Sequence, residues 1–179
     1  MDMYKLKWTI LQLDIFSLLC QKAGEKLSQR EIARILKVSP TAVANSIKNL
    51  KSTELIKVEK TKTINFISFN RDNPKAIELK RAENLKNVYL SGLSDYLERE
   101  LAGSTIILFG SYSMGADTNT SDIDIVVIER KDKMLYLEEF EKILNRKINV
   151  NFYDSWKKIH EHLKNNILNG ILLHGGVEL

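Results

Sequence analysis

Residues 104–128 read STIILFGSYSMGADTNTSDIDIVVI. Their first six residues are almost all apolar or β-branched, which predicts a strand buried on both faces. Residues 121–128 predict a second strand, along which side chains alternate between the two faces. Asp122 and Asp124 therefore lie on the same face, ~7 Å apart along the strand. Gly110-Ser111 directly follows the first strand.

This arrangement of acidic residues indicates a metal site. Two carboxylates so close together repel each other and resist burial unless a cation neutralises them. Magnesium takes oxygen ligands and is commonly held by one or two carboxylates together with substrate phosphates. The Gly110-Ser111 turn offers backbone amides and a hydroxyl to such phosphates. We therefore expect Mg²⁺ at Asp122 and Asp124 and a phosphate-bearing substrate beside them.

The motif consists of Gly110-Ser111 and, after ten residues, Asp122-Ile123-Asp124. It resembles the nucleotidyltransferase superfamily typified by DNA polymerase β, especially the minimal nucleotidyltransferases of prokaryotes. The resemblance covers about residues 103–154. It implies a mixed sheet with flanking helices, in which Gly110 and Ser111 bind the nucleotide. It also implies that Asp122 and Asp124 are catalytic and hold two Mg²⁺ ions, which activate an acceptor hydroxyl while pyrophosphate leaves.

One position departs from the family pattern. The superfamily usually has a third carboxylate on a later strand, and the corresponding strand here, residues 146–153, has Asn149 and Asn151 on that face. An amide oxygen can bind magnesium, which makes Asn149 a candidate third ligand, but it adds no charge and is a poor base. Two outcomes stay open. Either the metal site is weakened and the domain binds nucleotide with little turnover, or Asp154 or another carboxylate fills the gap.

The first half of the chain predicts three helices and two strands. Apolar spacing over residues 4–22 predicts a buried helix that includes Leu6, Ile10, Leu13, Phe16 and Leu19. Ser28 and Glu31 form a capping-box pattern before a helix with Ile32, Ile35 and Leu36 inward. Ser39-Pro40 starts a third helix, in which Val43, Ile47 and Leu50 share the buried face. Residues 55–59 and 63–69 alternate as strands around a short turn.

From Leu27 to Phe69 this order resembles a winged helix-turn-helix. The resemblance implies that the helix from Pro40 to Lys51 enters the major groove of DNA. The residues it brings to bases or phosphates are Thr41, Asn45 and Lys48 on that helix, and Lys60 and Lys62 on the wing. No arginine lies on the expected reading face, so we expect modest sequence specificity.

The distribution of charge separates two parts of the chain. Residues 1–75 contain fourteen Lys and Arg against seven Asp and Glu, whereas residues 76–179 contain thirteen against sixteen. The net charge of +4 thus combines a basic part suited to a polyanion with a slightly acidic part. A lysine-rich surface with no partner is the alternative interpretation of the basic part.

Residues 70–74 form a turn-rich break, and apolar residues then recur at helical spacing to about Leu101. We predict an α+β fold with a winged helix-turn-helix at residues 1–72, a linker helix at 73–101, and a small mixed-sheet nucleotidyltransferase domain at 102–179. The linker helix can equally form a dimer surface, and a homodimer is expected. Cys20 is the only cysteine, so no intrachain disulfide forms, and no apolar stretch approaches the ~20 residues of a membrane span. We expect a cytoplasmic protein.

Three functions are consistent with these patterns. The first is an enzyme that transfers a nucleoside monophosphate, AMP from ATP in the simplest case, to a hydroxyl on a protein or small molecule. Family likeness implies an antitoxin that modifies a partner toxin and binds its own promoter. The second is a transcription regulator whose degenerate transferase domain senses a nucleotide. The third assigns the winged helix to docking of a protein or structured RNA, because fold alone does not determine function.

Overall fold

The computed structural model describes residues 8–177, so the predicted helical start at residues 4–7, with Leu6, lies outside the described part. The chain divides into two compact units, Met1–Lys80 and Arg81–Leu179. Each unit combines helices with a β-sheet, which confirms the predicted α+β fold. Within residues 8–177, no helix is both long and apolar enough to cross a bilayer.

The described part of the first unit contains helices packed against a three-stranded antiparallel sheet. The helices are α1 (Ile10–Gln21), α2 (Gln29–Leu36) and α3 (Pro40–Lys51), and the strands are β1 (Leu27–Ser28), β2 (Ile56–Lys60) and β3 (Asn65–Phe69). The strand order in the sheet is β1-β3-β2. The helices and strands share one buried core, to which Val43, Ile47 and Leu50 contribute as predicted.

Side-chain caps begin two of these helices where the sequence predicts. The Ser28 hydroxyl accepts from the Glu31 amide at 3.2 Å, and the Glu31 carboxylate accepts from the Ser28 amide at 2.7 Å. Two amides that a helix leaves without partners are thereby satisfied. The Ser39 hydroxyl accepts from the Ala42 amide at 3.2 Å, with Pro40 as the first helical residue. Both predicted starts are confirmed.

Three apolar residues predicted to face the core are exposed. Ile10 is 80% exposed, Leu13 47% and Ile35 43%. Phe16 and Leu19 are buried as predicted, and Gln12 and Ile15 are buried as well. Helix α1 is apolar on most sides, so its spacing alone does not define the inward face.

A short strand that the sequence analysis missed completes the first sheet. In β1, Leu27 pairs with Ile67 and Ser28 with Phe66 of β3. Two residues are too few to show an alternating pattern, and only their pairing defines them as a strand. The pairing places the beginning of α2 beside the wing formed by β2 and β3.

The predicted single helix from Lys75 to about Leu101 is wrong, because the structure has two helices. Helix α4 spans Pro74–Leu90 and α5 spans Leu93–Glu100. Gly92 separates them with φ of +77°, a left-handed conformation that glycine adopts without steric cost. The division between the compact units falls within α4, after Lys80.

The second unit is built on a four-stranded mixed sheet with the order β6-β5-β4-β7. Its strands are β4 (Thr105–Phe109), β5 (Ile123–Ile128), β6 (Ile148–Tyr153) and β7 (Ile171–His174). The pair β5–β6 is parallel, and β4 pairs antiparallel with both β5 and β7. The other elements are α6 (Gly110–Ser113), α7 (Glu138–Leu144), a 3₁₀ turn (Trp156–Lys158) and α8 (Glu161–Leu168).

Both faces of this sheet are covered. Ile123, Ile125 and Val127 pack in one core, and Val126 and Ile128 pack in another on the opposite face. All five residues of β4 are buried, as the unbroken apolar run predicts. The two central strands, β4 and β5, thus form a rigid base at whose edge the acidic residues lie.

Candidate active site and nucleic-acid interface

The acidic pair lies where β5 begins. Asp122 immediately precedes the strand and is exposed, whereas Asp124 is the second strand residue and is partly buried. Ile123 and Ile125, which point to the other face, are fully buried. The core therefore determines the face from which both carboxylates project, as the alternation of side chains predicts.

Asn149 lies beside these carboxylates. The parallel register of β5 and β6 pairs Asp124 with Asn149. Asn149 Nδ2 donates to Asp122 Oδ2 at 3.2 Å and to Asp124 Oδ1 at 3.3 Å. The three side chains form one cluster at this edge of the sheet. Asn151 pairs with Val126, two residues farther along β5.

Gly110 approaches Asp124 so closely that no side chain fits there. Its φ is +73°, and a Cβ built on it would lie 2.7 Å from Asp124 Oδ2. Glycine is thus required by the backbone conformation and by the space that Asp124 occupies. The structure therefore brings the Gly110-Ser111 turn and the acidic pair together, although Gly110 and Asp122 are twelve positions apart in the sequence.

Ser111 lies in the short helix α6, which directly follows β4. A hydrogen bond closes this segment into a turn: the Ala116 amide donates to the Ser111 carbonyl at 3.0 Å. The Ser113 hydroxyl donates to the Gly110 carbonyl at 2.8 Å. Ser111 itself is partly exposed.

The suggestion that Asp154 supplies the third carboxylate is wrong. Asp154 follows the last residue of β6 and lies five residues beyond Asn149, which corresponds to ~16 Å along a strand. Its carboxylate pairs with Lys158, and this contact lowers the pKa of Asp154 below its usual range. Asp154 belongs to the opposite end of the sheet.

Lys147 is a cation near the acidic pair that sequence reasoning did not identify. Its Nζ donates to Glu141 Oε2 at 2.9 Å, and this contact raises the pKa of Lys147 above its ordinary value. The charge of Asp122 acts in the same direction, as the smallest contribution. The sequence feature that could have identified Lys147 is its position two residues before Asn149, at the start of the predicted strand.

The donor set at this site is small. Across residues 8–177 there is no group of three or more His, Cys, Asp or Glu side chains with the geometry of a metal site. Asp122 and Asp124 supply two carboxylates that converge on one atom, Asn149 Nδ2. Carboxylate and amide oxygens are ligands that magnesium accepts, so the chemistry of this donor set fits one ion.

The predicted reading helix presents its polar residues outward. Thr41, Asn45 and Lys48 of α3 are all exposed, and their spacing of four and three residues places them on one face. Val43 and Ile47 on the opposite face are buried. Packing of the helix thus leaves this polar face available for a partner.

The wing places two lysines at its tip. Lys60 ends β2 opposite Asn65, and Lys62 lies in the connecting turn; both are exposed. The turn is closed at Thr61, whose hydroxyl donates to the Ile64 carbonyl at 2.7 Å. The turn is therefore a defined structure rather than an open loop.

Arg30 joins these lysines as a basic residue that the sequence analysis missed. A cleft of about 650 Å³ lies between the start of α2 and the wing. Its lining includes Arg30 and Lys62 together with Ser28, Thr61 and Thr63. The register of β1 against β3 brings them together, and no local pattern in the sequence predicts that pairing.

Two family models match the chain, one for each unit. Residues 92–176 match "Polymerase beta, Nucleotidyltransferase", and residues 9–57 match "Winged helix-turn-helix DNA-binding". The first match contains Gly110, Ser111, Asp122, Asp124 and Asn149. The second contains α1, α2 and α3. No curated protein matches the chain at a significant level.

Some solved structures are similar to part of the chain. A cysteine-to-serine variant of ZitR from Lactococcus lactis is 23% identical with a TM-score of 0.42, over 57% of this chain and 68% of that chain. The same values hold for that variant in complex with DNA. The adhesin competence repressor AdcR from Streptococcus pyogenes is 18% identical with a TM-score of 0.42, over 57% of this chain and 72% of that chain.

The family matches agree with the geometry of both units. The mixed sheet carries the glycine-serine turn and the aspartate pair within the first matched range, and the capped helices lie within the second. The chain is therefore a fusion of a winged helix-turn-helix DNA-binding domain with a domain of the polymerase β nucleotidyltransferase family.

Proposed function

We propose that the protein is a magnesium-dependent nucleotidyltransferase that moves a nucleoside monophosphate, AMP from ATP in the simplest case, to a hydroxyl of a protein or small molecule. The observation that carries this proposal is the convergence of Asp122 and Asp124 on one point, with Gly110 in contact distance of Asp124. These contacts support the proposal because they bring two carboxylates and the glycine-serine turn to the same edge of the sheet.

Magnesium would be held by Asp122 and Asp124. Rotation of the Asn149 amide by a half-turn would present its Oδ1 instead of Nδ2 and add a neutral oxygen ligand. When bound, the metal supplies charge neutralisation and Lewis acidity at the phosphates. With two carboxylates and one amide, the donor set supports one ion better than the two that the superfamily uses.

The chain's own residues then bind and orient the substrate. The Ser111 hydroxyl and the backbone amides of the following turn donate to the triphosphate. The Lys147 carbonyl accepts from the Ile123 amide at 2.8 Å, between the two aspartates, so its ammonium would add positive charge near the phosphates. Because Asn149 is a poor base, the acceptor hydroxyl loses its proton to an aspartate or to solvent, and we expect slow turnover.

Transfer of label from ATP labelled in the α-phosphate tests this proposal. We expect magnesium-dependent incorporation into a cellular acceptor, which Asp122→Ala abolishes. Asp154→Ala is the matched control, because it removes an aspartate at the far end of the sheet. Incorporation that persists in Asp122→Ala, or that is absent with every cellular fraction, contradicts the proposal.

A second function is favoured by the amide at position 149. If Asn149 leaves too little charge for turnover, the domain binds a magnesium nucleotide without consuming it and regulates the attached DNA-binding domain. DNA affinity then changes at least several-fold on addition of ATP and magnesium, with no release of pyrophosphate. Equal DNA affinity with and without nucleotide excludes this function.

The partners follow from the two domains. We propose that DNA contacts Thr41, Asn45 and Lys48 of α3 and Lys60 and Lys62 of the wing, with Arg30 on an adjoining phosphate. A homodimer on a palindromic operator is the simplest assembly. The acceptor, a toxin in the antitoxin hypothesis, is identified by mass spectrometry of the labelled product.

A further inference from the structure

The loop between Ser111 and Asp122 is anchored at its middle by a buried carboxylate. Asp117 lies six residues after Ser111 and is only 2% exposed. Asn84 of α4, itself 4% exposed, donates through Nδ2 to Asp117 Oδ1 at 2.7 Å. The same nitrogen donates to the Tyr112 carbonyl at 2.8 Å. One amide therefore holds two separate points of the loop.

Asp117 also faces a buried cation. Arg146 Nη2 lies 3.9 Å from Asp117 Oδ2, and both side chains are almost fully buried. Arg146 precedes β6 by two residues, and its Nη1 donates to the Asn145 carbonyl at 2.9 Å. Asp117 thus links the loop to the segment that leads into the strand of Asn149.

Two further bonds of the loop are local. The Ala116 amide donates to the Ser111 carbonyl on one side of Asp117, and the Thr118 amide donates to the Ser121 hydroxyl at 2.9 Å on the other. These bonds close two turns within the loop. By contrast, Asn84 and Arg146 attach the loop to other elements of the domain. A buried carboxylate that loses such a partner is strongly unfavourable, so the loop has little freedom to leave this position.

Tyr112 is part of the same cluster. Its ring is buried, and burial raises the pKa of its phenol far above the ordinary value, with the charge of Asp117 contributing in the same direction. The phenol therefore stays neutral beside the buried side chains of Asp117 and Arg146.

We propose that Asn84 and Asp117 are positioning residues, which hold residues 110–121 in the conformation that binds the phosphates of a nucleoside triphosphate. This inference rests on the proposed function, because it concerns the same site. Neither side chain reaches the exposed surface where the acidic pair lies, so both act through the loop. Removal of the Asn84 amide releases the Tyr112 carbonyl and one oxygen of Asp117 together.

The test compares Asn84→Leu with wild type, and Asn87→Leu on the same helix is the matched control. Two readouts are needed: the affinity for ATP with magnesium by calorimetry, and hydrogen exchange of the backbone amides. For Asn84→Leu we expect a Kd about 10- to 100-fold higher, as for other residues that orient a binding site. Amides of residues 110–121 exchange faster, while those of β4 and β5 keep their rates. Asn87→Leu behaves as wild type.

The outcomes separate the two proposals. Unchanged affinity in Asn84→Leu, or loss of protection in β4 and β5 along with the loop, overturns the positioning role. Failure of the wild type to bind any nucleoside triphosphate overturns the proposed function, and the positioning role with it. Asp117→Asn provides a second variant, for which we expect the same local increase in exchange and the same direction of change in Kd.

Discussion

Asn149 lies directly beside Asp124 in the parallel pair of β5 and β6, and its amide donates to Asp124 Oδ1 at 3.3 Å. The same amide reaches Asp122 at 3.2 Å. Without metal, the amide offsets the repulsion between the two carboxylates. With metal, it provides less charge than a carboxylate would. Position 149 therefore balances stability of the empty site against affinity for a cation.

Asn149→Asp tests that balance. The third carboxylate removes a donor and adds repulsion, so we expect a lower melting temperature in the presence of a chelator. Magnesium should reverse the loss, with an affinity about 10- to 100-fold higher than in wild type. Thermal melts over a magnesium titration measure both effects. Asn151→Asp, on the same strand and face, is the control; if it responds to magnesium equally, the effect is not specific to position 149.

Gly110→Ala tests the close approach to Asp124. The left-handed backbone costs roughly 1–2 kcal/mol for a residue with a Cβ, and the new Cβ would lie 2.7 Å from Asp124 Oδ2. We expect reduced stability together with loss of magnesium and nucleotide binding. Gly103→Ala is a matched control, because Gly103 has φ of +81° with nothing within 4 Å of the built Cβ. It should lose stability and keep ligand binding; equal ligand affinity in both variants would contradict the steric argument.

The sequence predicts those parts of the fold that are determined by residues close together in the chain. Strands β4 and β5 are continuous runs of apolar and β-branched residues. The two predicted helix starts each depend on at most four neighbouring residues, Ser28 and Glu31 in one case and Ser39 and Pro40 in the other. The acidic pair and the glycine-serine turn were identified for the same reason. Alternation along a strand places Asp122 and Asp124 on one face without knowledge of the partners.

Features that depend on distant pairing were not predicted. Strand β1 exists because Leu27 meets Ile67, and the contact between Asn84 and Asp117 spans thirty-three positions. Helix α1 is apolar on several sides, so the inward face is selected by tertiary packing and leaves Ile10 exposed. The break at Gly92 was missed because apolar residues continue at helical spacing on both sides.

The capping box of α2 predicts a pH dependence. Hydrogen bonds from the Ser28 backbone amide, and next from its hydroxyl, lower the pKa of Glu31 below its ordinary value of 4.5. Because the folded-state pKa is depressed, the stabilisation is present above pH 4.5 and is lost as the pH falls through the folded-state value. Glu31→Gln should melt below wild type at neutral pH, and the difference should shrink as the pH falls from neutral to below 4.5. A difference in melting temperature that stays constant over this range would assign the effect to packing.

Substitutions in the basic cleft test the DNA interface. Each phosphate contact releases condensed counterions, so Arg30→Ala and Lys62→Ala should each reduce the slope of log K against log salt concentration by about 1. Asn45→Ala should instead change the preference among DNA sequences, since it lies on the exposed face of α3. Lys142→Ala, an exposed lysine of the second unit, controls for the loss of one positive charge. Duplex binding with no steep salt dependence would favour a protein or structured RNA as the partner of the winged helix, because the cleft would then make few contacts to DNA phosphates.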